Sequence, residues 1–108
     1  MSHVTTHILD ASIGRPAADV AVVLQDVDGA VVASARTDAD GRVKDLGPET
    51  LEPGHYRLRF EVEDYFARSG TDAFYPVVTI DFTIADTEQH YHVPLLISPF
   101  AYSTYRGS

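Results

Sequence analysis

Five histidines stand in a chain of 108 residues, and imidazole is the side chain that takes and returns a proton near neutral pH. His90 and His92 are separated by one residue. On a strand their side chains share a face, with Cα atoms roughly 6.5–7 Å apart. His7 lies in a second extended stretch, on a face it shares with Thr5 and Leu9. Three chemistries fit such histidines: hydrogen bonding at an interface, metal binding through His-x-His, and acid–base catalysis. No Glu-x-x-His or cysteine partner stands beside them to complete a dedicated metal site. His3, near a terminus, reads as solvated, and His55, after a Pro-Gly turn, as solvated or hydrogen-bonding. Arg42 closes Asp38-Ala39-Asp40-Gly41-Arg42. That stretch and Asp26-Val27-Asp28-Gly29 have the outline of a calcium loop, but Gly47 and Ala35 occupy the twelfth positions, where a bidentate glutamate is required. Both read as turns, and Arg42 by its spacing alone reads as a surface ion-pair partner. The last residues, from Ser98 to Ser108, are rich in aromatics. Tyr102 and Tyr105 suggest a packed segment that would fix the end of the chain, and with it a carboxylate at Ser108, in a defined place; packing for stability alone is the other reading. There is no Gly-x-Ser-x-Gly elbow, no Gly-x-Gly-x-x-Gly and no Walker loop, which argues against serine-triad catalysis and nucleotide cofactors.

The elements that must position these residues are strands. Val20, Val22 and Leu24 alternate with Ala21, Val23 and Gln25. Tyr56, Leu58, Phe60 and Val62 alternate with Arg57, Arg59, Glu61 and Glu63. Val78, Ile80, Phe82 and Ile84 alternate with Thr79, Asp81 and Thr83. A period of two marks half-buried strands. Gly14-Arg15-Pro16, Asp28-Gly29, Asp40-Gly41 and Pro53-Gly54 punctuate them as turns, and Asp28-Gly29 reads as a hairpin. Short strands with frequent turns predict an all-β antiparallel sandwich or barrel. The one helix candidate is Asp64 to Gly70, capped by Asp64, ended by Gly70, and packing Tyr65 or Phe66 on a sheet edge. Two strands depart from apolar-in, polar-out. In the first, Thr6, Ile8 and Asp10 oppose Thr5, His7 and Leu9. In the last, Tyr91, Val93, Leu95 and Ile97 oppose His90, His92, Pro94 and Leu96. Leucine and histidine on a nominally outer face predict a surface covered by another subunit, with a pocket between copies.

Composition narrows the classes. One domain spans residues 1–108, because two halves could not each bury a core. Hydrophobic residues make up 44% and charged residues 22%, an ordinary globular balance. Eight basic against sixteen acidic residues give a net charge of −8, which disfavours nucleic acid and anionic membrane surfaces. The absence of cysteine removes disulfides, zinc–thiolate sites and thiol catalysis. With no leader pattern and no spanning segment in the sequence, a soluble cytoplasmic protein is expected.

Several stretches together resemble the transthyretin-related family: Thr6-His7-Ile8-Leu9-Asp10, Gly14-Arg15-Pro16-Ala17, Thr37-Asp38-Ala39-Asp40-Gly41-Arg42, and the run His90-Tyr91-His92-Val93-Pro94-Leu95-Leu96-Ile97-Ser98-Pro99. The ending Tyr105-Arg106-Gly107-Ser108 is similar to the 5-hydroxyisourate hydrolase branch of that family rather than to the hormone-carrying transthyretins. The resemblance covers roughly Thr5 to Ser108. It implies a transthyretin-like sandwich of two four-stranded sheets with one short helix. It also implies a homotetramer, a dimer of dimers, with sites in a channel between subunits. The implied activity is hydrolysis of 5-hydroxyisourate to 2-oxo-4-hydroxy-4-carboxy-5-ureidoimidazoline in urate degradation. The implied site is His7, Arg42, His92 and Ser108 for catalysis, with His7, Arg42 and Tyr105 binding substrate.

Those residue types suit the implied reaction. Opening a ring by water needs a base for the water, a donor for the leaving nitrogen, and stabilisation of the oxyanion. His7 and His92 would move protons. Arg42 would orient the ring and stabilise negative charge through its planar donors. Ser108 would fix a histidine tautomer or the ring, and Tyr105 would hydrogen-bond the substrate. No metal or organic cofactor is called for, because water is the nucleophile and the carbonyl is already activated. A ligand carrier, a metal-binding module using His7, His90 and His92, and a structural sandwich are the competing classes.

Overall fold

A computed structural model describes residues 2–108 and resolves the alternating stretches into two packed sheets. The strands are β1 (Val4–Asp10), β2 (Arg15–Pro16), β3 (Ala21–Gln25), β4 (Val31–Arg36), β5 (Arg42–Val43), β6 (Gly54–Phe60), β7 (Val78–Ile84), β8 (Tyr91–Ser98) and β9 (Ala101–Thr104), with one helix, α1 (Val62–Arg68). One sheet runs β4-β3-β6-β7, all antiparallel. The other runs β2-β1-β8-β9, and β5 also pairs with β1. β2 and β5 are two-residue strands that share one edge of β1: β2 faces Leu9 and Asp10, β5 faces Thr6 and His7. The second sheet is therefore four positions wide, as the resemblance implies. β1 and β8 are parallel and in register from Val4↔Tyr91 to Asp10↔Ile97.

The inward faces match the alternation. Val22, Leu24, Leu58, Phe60, Ile8, Leu95 and Ile97 are fully or almost fully buried between the sheets, each contributing about 1.5–3 kcal/mol by leaving water. Asp10 also points inward and is 4% exposed. It is satisfied by the Tyr65 hydroxyl, which donates to Oδ2 at 2.9 Å, and by Ser12. Burial, followed by the bond to Asp10, pushes the Tyr65 phenol up to about 12. Phe66 is buried beside it, so the helix packs with the residues expected of it.

Its boundaries differ from the expectation. Val62 continues the alternation of β6 in sequence, but it opens α1 and remains buried. Glu61, not Asp64, is the N-cap, and its side chain makes no capping bond. Asp64 lies inside the first turn, where a carboxylate still favours the positive end of the helix. The end is as read: Gly70 adopts φ +68° and donates to the Ala67 carbonyl at 3.0 Å. The Asp28-Gly29 hairpin links β3 and β4 as expected. His3 is a further correction. It is buried at 4% exposure, with Nε2 on the Gln89 carbonyl at 2.7 Å and Nδ1 accepting the Leu51 N–H at 2.9 Å. Position near a terminus suggested solvation; the loop from Lys44 to Leu51 folds over the ring instead.

Candidate functional site

β1 and β8 turn their uncovered sides the same way. Their parallel register sets Thr5 beside His92, His7 beside Pro94, and Leu9 beside Leu96. All six alternate with core residues, so period two alone puts them on the outer face. His7, Leu9, His92 and Leu96 are half-buried there.

Arg42 reaches this face through its turn. Asp38 Oδ1 accepts the backbone N–H groups of Asp40 at 2.9 Å and Arg42 at 3.0 Å. These bonds, led by the one from Arg42, hold the Asp38 carboxyl below the usual carboxylate range. Asp26 does the same for Asp28 and Ala30. Both Asp-x-Asp-Gly stretches are turns, as read. Gly41 has φ +73°, and its carbonyl accepts from Ile8 N–H at 2.7 Å. A Cβ there would run into the Ile8 carbonyl oxygen and sit 3.1 Å from Pro16 Cβ. Glycine thus lets the turn lie flat on β1, and the next residue pairs with His7 in the β1–β5 ladder. Among the described residues Arg42 has no carboxylate within ion-pair distance. The surface ion-pair reading therefore fails.

The end of the chain arrives from the other side. Thr104 Oγ1 donates to the Pro94 carbonyl at 2.7 Å. Gly107 N–H donates to the His92 carbonyl at 2.9 Å. Arg106 stacks its guanidinium 4.6 Å from the Tyr91 ring centroid and donates to Gln89 Oε1 at 2.7 Å. Tyr102 packs edge-on against Tyr75, ring centroids 5.1 Å apart, as the packed-segment reading expects. Tyr102 is 43% exposed and Tyr105 is 59% exposed. Gly107 lies flat on the His92 ring: a Cβ would stand 2.6 Å from Cδ2.

The result is a hollow of about 300 Å³ lined by Thr5, Arg42, Lys44, His90, His92 and Ser108. His7 is not among the residues lining it; it pairs with Arg42 in the β1–β5 ladder and lies near enough to act electrostatically on His92. The His92 pKa is lowered below that of an ordinary histidine. Burial is the largest cause, followed by the electrostatic influence of Arg42 and of the neighbouring His7 and His90 rings, with a hydrogen bond to the Thr5 backbone opposing. A depressed pKa keeps the imidazole neutral and able to accept a proton near pH 7. The structure thus brings His7, Arg42, His92 and Ser108 together. It does not bring Tyr105 to them. Tyr105 lines a neighbouring hollow of about 330 Å³ with Ile80, Phe82 and Arg106; only His92 borders both. A third hollow, also about 330 Å³, lies beside Arg57 and Asp81, whose charges already neutralise each other.

Thr5 is the residue that sequence reasoning missed. It is 7% exposed, and its hydroxyl lies 2.8 Å from His90 Nε2 and 2.8 Å from His92 Nδ1. Its place on the face with His7 was legible; that it meets β8 in register with His92 was not. Among the described residues no cluster of three or more His, Asp or Glu is arranged to hold a metal ion.

Comparison with known proteins concerns the chain as a whole. A model of the HIUase/Transthyretin family matches residues 4–107. The chain is 50% identical to the 5-hydroxyisourate hydrolase of Caulobacter vibrioides over 115 aligned positions, covering all of both chains. It superposes on the 5-hydroxyisourate hydrolase structure of Klebsiella pneumoniae with a TM-score of 0.90 and 42% identity, covering 97% of this chain and 98% of that one. Sea bream transthyretin in complex with thyroxine has the same TM-score, 0.90, at 33% identity, covering 96% of this chain and 93% of that one.

Proposed function

The chain belongs to the HIUase/transthyretin family, and from that premise we propose that the protein is a 5-hydroxyisourate hydrolase whose site is the hollow between β1, β5, β8 and the final residues. The observation that carries this reading is the meeting of Arg42, which has no carboxylate partner among the described residues, with a neutral-leaning His92 beside Ser108. A carrier needs a hollow but not an unpaired cation next to a histidine whose pKa is depressed.

Hydrolysis follows from these groups. Water attacks the activated ring carbonyl of 5-hydroxyisourate. A neutral histidine, His92 or His7, takes the proton from that water as the new C–O bond forms. Negative charge gathers on the former carbonyl oxygen, and Arg42 stabilises it with its N–H donors. The C–N bond then breaks, and a histidine returns a proton to the leaving nitrogen. Ser108, through its hydroxyl, orients the ring or a histidine. Tyr105 would contact substrate from the neighbouring hollow, across the His92 ring. The reading calls for no metal or organic cofactor.

The same reading includes a homotetramer, a dimer of dimers, with the hollow opening into a channel between subunits. Half-buried Leu9 and Leu96 on the site face support it, since they extend an apolar surface around the polar centre. It also retains a cytoplasmic location; no described helix is long and apolar enough to cross a membrane. The test of function is the absorbance decay of freshly generated 5-hydroxyisourate with and without the protein. Faster decay that survives extensive chelation supports metal-free hydrolysis. Decay at the spontaneous rate, together with tight binding of the compound, would favour the carrier.

A further inference from the structure

Thr5 occupies a strand position where valine would fill the same space and favour the strand as well. The residue is 7% exposed, and its hydroxyl has two partners among the described residues, His90 Nε2 and His92 Nδ1, each at 2.8 Å. A hydroxyl carries one proton. Between two imidazole nitrogens it donates to one and accepts from the other. If His92 Nδ1–H donates to Thr5, Thr5 donates to His90 Nε2, and His92 Nε2 is bare. If His90 Nε2–H donates to Thr5, Thr5 donates to His92 Nδ1, and His92 carries its proton on Nε2. The first arrangement makes His92 a base and the second makes it an acid.

We propose that Thr5 is a positioning residue that couples the tautomers of His90 and His92, with exposed His90 as the outer end of a proton path into the site. This rests on the hydrolase reading. The protons balance along the path. His92 Nε2 takes a proton from the attacking water. Its Nδ1 proton passes to Thr5, whose own proton passes to His90 Nε2. His92 is then neutral with a proton on Nε2, ready for the leaving nitrogen. As that proton leaves, the two shifts along Thr5 reverse in the same step, from His90 Nε2–H to Thr5 and from Thr5 to His92 Nδ1, so His92 stays neutral and the starting arrangement returns. The path moves positive charge off a half-buried ring that Arg42 and His7 already disfavour as a cation and onto a ring that water can solvate. Lys44 is the other cation on the hollow, and Ser108 lies on it too.

The experiment combines 5-hydroxyisourate turnover with nitrogen NMR of histidine rings in the full chain. Three variants are compared with the parent: Thr5→Val, Thr5→Ser and His90→Asn. Thr5→Val should lower kcat by about tenfold or more, with KM changed far less, and should shift the His92 ring nitrogens toward a different tautomer balance. Thr5→Ser should restore both. His90→Asn, at an exposed position, should lower kcat several-fold, shift the His92 nitrogens, and regain rate with added imidazole. Unchanged His92 nitrogen shifts in His90→Asn overturn the coupling, even if Thr5→Val does not fold. Changed shifts with undiminished turnover overturn the proton path. An inactive parent protein would instead sink the hydrolase reading, with the coupling still decided by the ring nitrogens.

Discussion

The two sheets present outer faces of opposite kinds. On the β3-β6-β7 side every long cation has an anion at hand. Arg57 lies opposite Asp81 in the ladder and donates Nε to Oδ1 at 2.7 Å and Nη2 to Oδ2 at 3.2 Å. Arg59 meets Glu61 at 2.9 Å. The bond from Arg57 holds the Asp81 carboxyl below the usual range. On the β1-β8 side, Arg42 has no such anion among the described residues, histidines crowd one another, and leucines fill the margin. Charge that is neutralised locally belongs to a solvated surface. Charge left unpaired beside half-buried imidazoles is held ready for something not in the chain. Strand periodicity is the same on both faces, so the difference lies in pairing rather than in pattern.

The sharpest way to break this contrast is to remove the proton carrier. His92→Asn should cut turnover by roughly 10²–10⁴-fold while leaving the circular dichroism and thermal transition of the folded protein. Turnover within threefold of the parent would mean that the face is not a site. Next in size is the end of the chain. Deleting Arg106-Gly107-Ser108 removes few apolar contacts, so folding should persist, but turnover should fall more than tenfold, about 1.4 kcal/mol of transition-state stabilisation. Gly107→Ala should act in the same direction, because its methyl group meets the His92 ring. Parent-like rates in both would reduce the segment to packing.

A third measurement concerns pH. The His92 pKa is depressed in the folded state, so between that value and the unfolded one, about 6.5, the unfolded chain binds more protons. Stability therefore rises with pH across this window and is lost as pH falls through the folded pKa. The acid limb of kcat/KM should likewise have its midpoint below 6.5. Arg42→Ala removes a positive neighbour and should move that limb to higher pH, besides lowering the rate. A limb that stays in place would show that Arg42 does not act on His92 electrostatically.

Much of this contrast was legible in the sequence. Alternation put His7 and His92 on uncovered faces, and the turn at Asp40-Gly41 was marked by its residue types. What escaped was set by contacts distant in the chain. His3 looked like a frayed terminus because its partners are Leu51 and Gln89. Thr5 looked like an ordinary strand residue because the parallel β1–β8 register, across more than eighty positions, brings it to His92. The final motif did not show that Tyr105 would line the neighbouring hollow, which His92 also borders; that position is set with Arg106 stacked on Tyr91, a contact distant in the chain. The helix start moved because Val62 satisfies the core equally well as a strand end or as a first helical turn.

The smallest expected effect tests the other half of the contrast. Arg57 and Asp81 are about half to two-thirds exposed, and water and salt screen a pair of that kind. The side-chain entropy lost in aligning them offsets most of the attraction. Arg57→Ala and Asp81→Asn should each change stability by less than about 1 kcal/mol, with the double variant close to the sum. Turnover should be unaffected, since the pair lies on the sheet that does not carry the site. Added salt should shrink even this small difference. A loss of several kcal/mol, or a fall in turnover, would mean that the β3-β6-β7 face is covered in the assembled protein, and that its ion pairs are interface contacts rather than solvated ones.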